Sequence, residues 1–279
     1  MTSWRSNEGA EAMASAPAAG DRASQPRTRL PPAKHNVVQL RDRKTYCTSC
    51  TLHGRCLPVG LAGDAIGQFE QLVGDQRRLR KGEALFHAGS PFAALYAIRV
   101  GSFKTSILAE DGREQVAGYH MLGEIIGLDG IASNSHTCGA VALEESEVCA
   151  IPFDRLEQLM HTIPGLQHNV RQTLAHEVGR NHGLMLLLGS MRAEERVVVY
   201  LLDLAERYRQ RGYSASEFVL RMTREEIGSY LGLKLETVSR VFSRLQADGL
   251  VQAQGRDIKL LDPPMLNRLL GKDASPLDP

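Results

Sequence analysis

Cys47, Cys50 and Cys56 follow a C-x2-C-x5-C spacing in a stretch that also holds Gly54 and Pro58, residues suited to tight turning. Thiolates this close wrap one face of a metal ion or cluster, and both zinc and cubane clusters take four ligands. The fourth must come from farther along the chain, which leaves Cys138 or Cys149. His53 is placed to complete a local zinc site instead, although zinc usually takes paired C-x2-C knuckles and a single such pair exists here. A metal-free thiol redox switch is a further alternative that accounts for less of the spacing. The N-terminal stretch has no apolar signal segment, so the cysteines point to a reducing compartment, the cytoplasm.

A second chemical set lies between Thr223 and Gly249. Thr223 followed by Glu226 is a capping box that opens a helix with Ile227 and Leu231 on its inner face. Gly232 closes that helix, and Leu233-Lys234 leads into a second one from about Leu235 to Asp248. With Val238, Phe242 and Leu245 inward, Glu236, Ser239, Arg240, Ser243 and Arg244 face outward, as in a helix-turn-helix. Arg240 suits guanine O6 and N7, Glu236 a cytosine N4, and Ser239 several partners, while Arg244 is better placed for phosphate. Leu250-Val251-Gln252-Ala253, a Gly255-Arg256-Asp257 turn and Ile258-Lys259-Leu260-Leu261 read as a wing hairpin beside the reading helix. The competing reading is a surface helix pair with a solvated charged face; cap, turn, spacing and wing together favour DNA.

The expected architecture is α+β. Residues 1–46 form an Ala-, Ser- and Pro-rich arm that buries too little surface to order itself. Residues 47–163 carry the cysteine loop and a β-roll, because short apolar runs such as Leu95-Tyr96-Ala97-Ile98 and Ala140-Val141-Ala142-Leu143 alternate with Gly82, Gly89, Gly101, Gly112 and Gly123. Pro164 opens a long helix over 164–191. On it, Leu174, Val178, Met185 and Leu188 with Asn181 at the vacant position fit a two-stranded seam, and a homodimer follows. The alternative is a helix packed on its own domain. The winged helix-turn-helix domain spans 192–271, and 272–279 is a tail. The net charge of +1 does not exclude DNA, since a local basic surface suffices. No apolar run reaches the roughly 18 residues of a membrane span. Neither a nucleophile–base constellation nor a Gly-rich nucleotide loop is present, so an enzyme is not expected. An iron–sulfur electron carrier would leave the helix-turn-helix unexplained.

Cys47-x2-Cys50-x5-Cys56, Leu95-Tyr96-Ala97-Ile98-Arg99-Val100-Gly101, Val148-Cys149-Ala150-Ile151-Pro152-Phe153, Ala193-Glu194-Glu195-Arg196 and Glu236-Thr237-Val238-Ser239-Arg240 occur in one order. In this the chain resembles the oxygen-sensing fumarate-and-nitrate-reduction (FNR) regulators of the Crp/Fnr superfamily, from about Cys47 to Leu270. The resemblance implies a cyclic-nucleotide-binding-like β-roll, a dimerisation helix and a winged helix-turn-helix. It implies a [4Fe-4S] cluster on Cys47, Cys50, Cys56 and Cys149, with Cys149 preferred to Cys138 for its V-C-x-I-P-F context. It further implies Glu236, Ser239 and Arg240 as readers of a TTGAT-like half-site, a palindromic operator, and an RNA polymerase contact near Asp111 and Gly112. In the family oxygen degrades the cluster, the dimer loosens and DNA is released. Three features depart from the pattern: Asn181 replaces an acidic seam residue, Arg55 directly precedes Cys56, and Cys138 is an extra thiol. The cyclic-nucleotide relatives hold a phosphate with an Arg-Ser pair; Ser133 to Cys138 has no arginine, so cyclic nucleotides are not expected as ligands.

Overall fold

The computed structural model describes residues 46–74, 76–108 and 112–271. A 3-10 turn, Cys47–Ser49, and helix α1, Asp64–Leu72, precede the strands β1 (Gln76–Leu79), β2 (Ala84–Phe86), β3 (Ala94–Val100), β4 (Ser102–Leu108), β5 (Glu114–Met121), β6 (Ile125–Ile126), β7 (Gly139–Ala142) and β8 (Ser146–Pro152). These strands form two antiparallel sheets, ordered β1-β8-β3-β6 and β2-β7-β4-β5. The glycine-punctuated runs thus make the expected β-roll.

Strands β3 and β8 are buried on both faces, and the two-residue side-chain period decides which core each residue joins. Tyr96, Ile98 and Val148 face the roll interior with Phe103 and Leu79. Leu95, Ala97, Cys149 and Ile151 face outward into a second apolar cluster. That cluster is covered by α1, by α2 (Phe153–Thr162) and by the start of α3 (Pro164–Ser190), through Phe69, Leu72, Leu156, Leu166 and Val170. The sequence reading leaves α1 and α2 unassigned; they are short helices defined by the sheet face they cover.

The 27 residues of α3 span about 40 Å. Pro164 occupies its first turn, and the helix is buried near its start and again at Leu187, with its middle largely exposed. It leads into α4 (Ala193–Gln210), β9 (Glu217–Val219), α5 (Arg224–Leu231), α6 (Leu235–Ala247), β10 (Val251–Gln254), β11 (Asp257–Leu260) and α7 (Pro263–Leu269). The predicted hairpin is present as β10–β11, and β9 extends it to a three-stranded sheet ordered β10-β11-β9. Val116, Tyr119, Met121 and Leu143 of the roll share one apolar cluster with Leu187, Leu201, Leu204, Ile227, Leu231, Val238 and Leu245. The reading domain is therefore packed on the roll through continuous apolar contact. Among the described residues no helix is long and apolar enough to cross a membrane.

Candidate cysteine site and nucleic-acid interface

The cysteine segment winds through consecutive turns, with Cys50 N donating to Cys47 O at 3.3 Å, Cys56 N to Leu52 O at 3.0 Å and Val59 N to Cys56 O at 3.0 Å. Glu70 of α1 anchors its start by accepting from the amide and hydroxyl of Thr48, each at 3.3 Å. Leu57 and Leu61 enter the outer apolar cluster, where Cys47, Cys56 and Cys149 also pack. Cys149 lies in register between Gln76 of β1 and Ala97 of β3, on the sheet face that the segment covers. The thiols of Cys47, Cys50, Cys56 and Cys149 are within electrostatic reach of one another. Cys138 instead packs inside the roll, with Asp129 and Glu177 as its charged neighbours.

Burial, reinforced by the neighbouring thiols, pushes Cys47 and Cys56 up to about 12. Burial also raises Cys149 to about 11, against the pull of Arg99. Cys47, Cys56 and Cys149 are therefore protonated near neutral pH when metal-free, and loading a metal group on them would release protons. Four soft sulfur donors, three of them bordering an apolar cluster, have the chemistry of an iron–sulfur site. Among the described residues no group of three or more His, Cys, Asp or Glu side chains is close enough to hold a metal ion.

Asn169 of α3 is buried, and its amide nitrogen donates to Leu57 O and Val59 O, both at 2.8 Å. The backbone just after Cys56 is thereby tied to the long helix. Of the predicted seam, Val178 (53% exposed), Met185 (70%) and Asn181 lie open to solvent. Leu174 and Leu188 are half-buried, the first against the outer roll cluster and the second against the reading domain. The two ends of the seam thus also serve the protomer's own core.

The reading helix α6 buries Val238, Phe242 and Leu245 and exposes Glu236, Ser239, Arg240, Ser243 and Arg244 along one stripe. Arg244 is within 3.5 Å of Glu194 and 3.9 Å of Asp248. The capping box forms, with Glu226 N donating to Thr223 Oγ1 at 3.1 Å and Thr223 N to Glu226 Oε2 at 2.7 Å. Gly232 closes α5 in the left-handed conformation, with φ of 63°. The sequence reading misses Gly228: a Cβ there would stand 2.6 Å from Leu233 O, so only glycine lets the turn fold back on α5. It also quotes Arg196 within a motif without giving it a role, and it misses Arg224. Arg196 donates to Met191 O, Leu231 O and Leu188 O, joining the end of α3 to the end of α5. Arg224 lies 3.2 Å from the Phe242 ring centroid with Nη1 unpartnered, and burial lowers it to about 10. Their signal was position at a helix start, which alone does not distinguish them from solvated charges. Of the suggested polymerase contact, Asp111 lies outside the described residues and Gly112 is exposed.

Two families match the chain: a cyclic nucleotide-binding domain over residues 76–162 and a Crp-like helix-turn-helix domain over 195–269. The chain is 41% identical to transcriptional regulatory protein btr of Bordetella pertussis over 237 residues, which covers 85% of this chain and 98% of that protein. It is 37% identical to the fumarate and nitrate reduction regulatory protein of Yersinia pestis, over 84% of this chain and 94% of that one. Among solved structures, FixK2 from Bradyrhizobium japonicum superposes with a TM-score of 0.66 at 32% identity, covering 74% of this chain and all 100% of its own.

Proposed function

Since this chain belongs to the FNR-type regulators of the Crp/Fnr family and is a DNA-binding transcription regulator, we propose that it is a cytoplasmic oxygen-responsive one carrying a [4Fe-4S] cluster on Cys47, Cys50, Cys56 and Cys149. The observation that supports this reading is that Cys47, Cys56 and Cys149 border one apolar cluster on the outer face of β8, with Cys50 within electrostatic reach of Cys149 and Cys138 turned into the roll. When bound, the cluster supplies oxygen-labile iron–sulfur bonds that join the four thiolates into one unit.

The protein's own groups give such a unit a route to DNA. Leu57 and Val59 carry the position of the cysteine segment to Asn169 and hence to α3. A homodimer pairs α3 through Val178, Asn181 and Met185, with Leu174 and Leu188 closing the seam at its ends. Arg196 then fixes the end of α3 to the helix-turn-helix. Dimerisation sets two reading helices about one DNA turn apart on a palindrome. Glu236, Ser239 and Arg240 read a TTGAT-like half-site, Arg244 contacts phosphate, and the stretch around Asp111 and Gly112 meets RNA polymerase. Because Asn181 is neutral, the metal-free chain dimerises more readily than one with an acidic residue there.

Cyclic nucleotides are not ligands in this reading. Asp129 accepts from Thr137 N at 2.7 Å and Cys138 N at 3.2 Å, so a carboxylate holds amides that would otherwise be open to a phosphate.

The test is anaerobic reconstitution with iron and sulfide. About four irons per chain and a broad visible absorption that bleaches in air are expected. Cys149→Ala should lose both and Cys138→Ala should keep both. A colourless protein holding zinc would overturn the cluster reading in favour of a zinc or thiol switch.

A further inference from the structure

Glu124, in the turn between β5 and β6, is a largely buried carboxylate, its side chain 14% exposed, that faces three guanidiniums. Arg207 Nη2 donates to both of its oxygens at 2.9 Å, Arg211 Nη2 donates to Oε1, and Arg180 Nη1 stands 3.4 Å away. Arg207 and Arg211 are one turn apart at the end of α4, and each also grips roll backbone: Arg207 Nη2 donates to Tyr119 O at 2.7 Å and Arg211 Nε to Leu122 O at 2.9 Å. Charge-assisted contacts of this kind hold position as well as energy. Glu124 therefore ties the reading domain's first helix, α4, to the sensor roll of the same protomer. That helix in turn packs Leu201 and Leu204 into the core that seats α6.

The cysteine segment reaches this tie directly. Gly123, which precedes Glu124, lies against Arg55, and a Cβ on it would sit 3.4 Å from Arg55 Cβ. Arg55 precedes Cys56, and its charge is near enough to Arg211 for the two cations to repel. Two opposing influences thus meet on Arg211: Glu124 holds it and Arg55 pushes it away.

We propose that Glu124 is a positioning residue that holds the reading domain on its own roll, and that Arg55 sets the strength of that hold according to where the cysteine segment lies. Coupling within one protomer then runs from the cysteine segment through Arg55, Glu124 and Arg211 to α4. It runs beside the path through Asn169, meets α3 only where Arg180 approaches Glu124, and needs no bound metal.

Hydrogen exchange of the full, metal-free chain tests this. Glu124→Gln should speed exchange of the end of α4, residues 203–211, by about tenfold while α5 and α6 keep their protection. Arg55→Glu, which turns repulsion of Arg211 into attraction, should slow the same residues. Unchanged exchange there in either variant, or shifts of the same sign in both, would overturn the proposal. If Glu124→Gln loses protection throughout the chain, Arg211→Lys takes its place: it keeps the charge but loses the fork that reaches Leu122 O. Faster exchange confined to 203–211 supports the tie, and unchanged exchange overturns it. Failure of iron reconstitution would leave these outcomes untouched.

Discussion

Asn169 donates its side-chain amide to Leu57 O at 2.8 Å, although 112 positions separate the two residues. The contact is buried and is doubled by the bond to Val59 O, so the backbone after Cys56 is held at two points by the long helix. Polar atoms buried in this way must be paired, and each pair constrains both partners.

Asn169→Ala should therefore cost about 1–3 kcal/mol in denaturant unfolding, because two carbonyls lose their donor. Exchange of residues 46–60 should rise at the same time. Unchanged exchange there would show that the apolar contacts of Leu57 and Leu61 hold the segment unaided.

Gly228→Ala should destabilise the reading domain by about 1–3 kcal/mol, since the new Cβ meets backbone oxygen rather than a flexible side chain. Gly67→Ala in α1 is the counterpart: it meets nothing within 4 Å and should stabilise by about 0.5–1 kcal/mol. Thermal melts of the two variants, moving in opposite directions, check both statements.

Arg240→Ala should cost about 1–3 kcal/mol of binding at a matched site and relax the preference at one guanine. Arg244→Ala should weaken matched and scrambled duplexes alike and shallow the salt dependence. Titrations of both duplexes at two salt concentrations separate a base reader from a phosphate contact.

His120 supplies a pH dependence. Burial, with further opposition from Arg180 and Arg207 and partial support from Glu124, lowers it to about 4 from the ordinary 6.5, and its Nδ1 finds no hydrogen-bond partner. The unfolded chain binds the proton more readily, so stability is fully present above pH 6.5 and falls as the pH drops toward 4, by up to about 3 kcal/mol. Glu124 acts lower on the scale. Burial opposes its charge, but Arg207, Arg180 and Arg211 with His120 hold it near 2, so its contribution is lost between about pH 4.5 and 2. His120→Gln should flatten the upper part of a stability–pH curve and leave the lower part.

Much of the architecture was legible because it rests on local rules. The capping box at Thr223, the glycine stop at Gly232 and the spacing of Val238, Phe242 and Leu245 specify two helices and a turn within about twenty-five residues, and the wing follows from its own alternation and turn. Glu236, Ser239, Arg240 and Arg244 are then exposed simply because their neighbours are buried. The cysteine spacing likewise limits the chemistry to soft-metal or redox use. Short helices such as α1 and α2 were not legible, since their identity depends on the sheet face they cover.

The amino-acid order thus determined the two helices and wing of the reading domain, the outward stripe of α6 and the close spacing of three thiols, all of them consequences of periodicity and near neighbours. Only the tertiary structure shows which distant thiol faces the cysteine segment: the strand's two-residue alternation turns Cys149 toward it, while Cys138 enters the roll. It also decided that Asn169 meets Leu57 and that Glu124 meets Arg207 and Arg211. Contacts between residues 83 to 112 positions apart depend on how whole layers stack, and no local pattern encodes that.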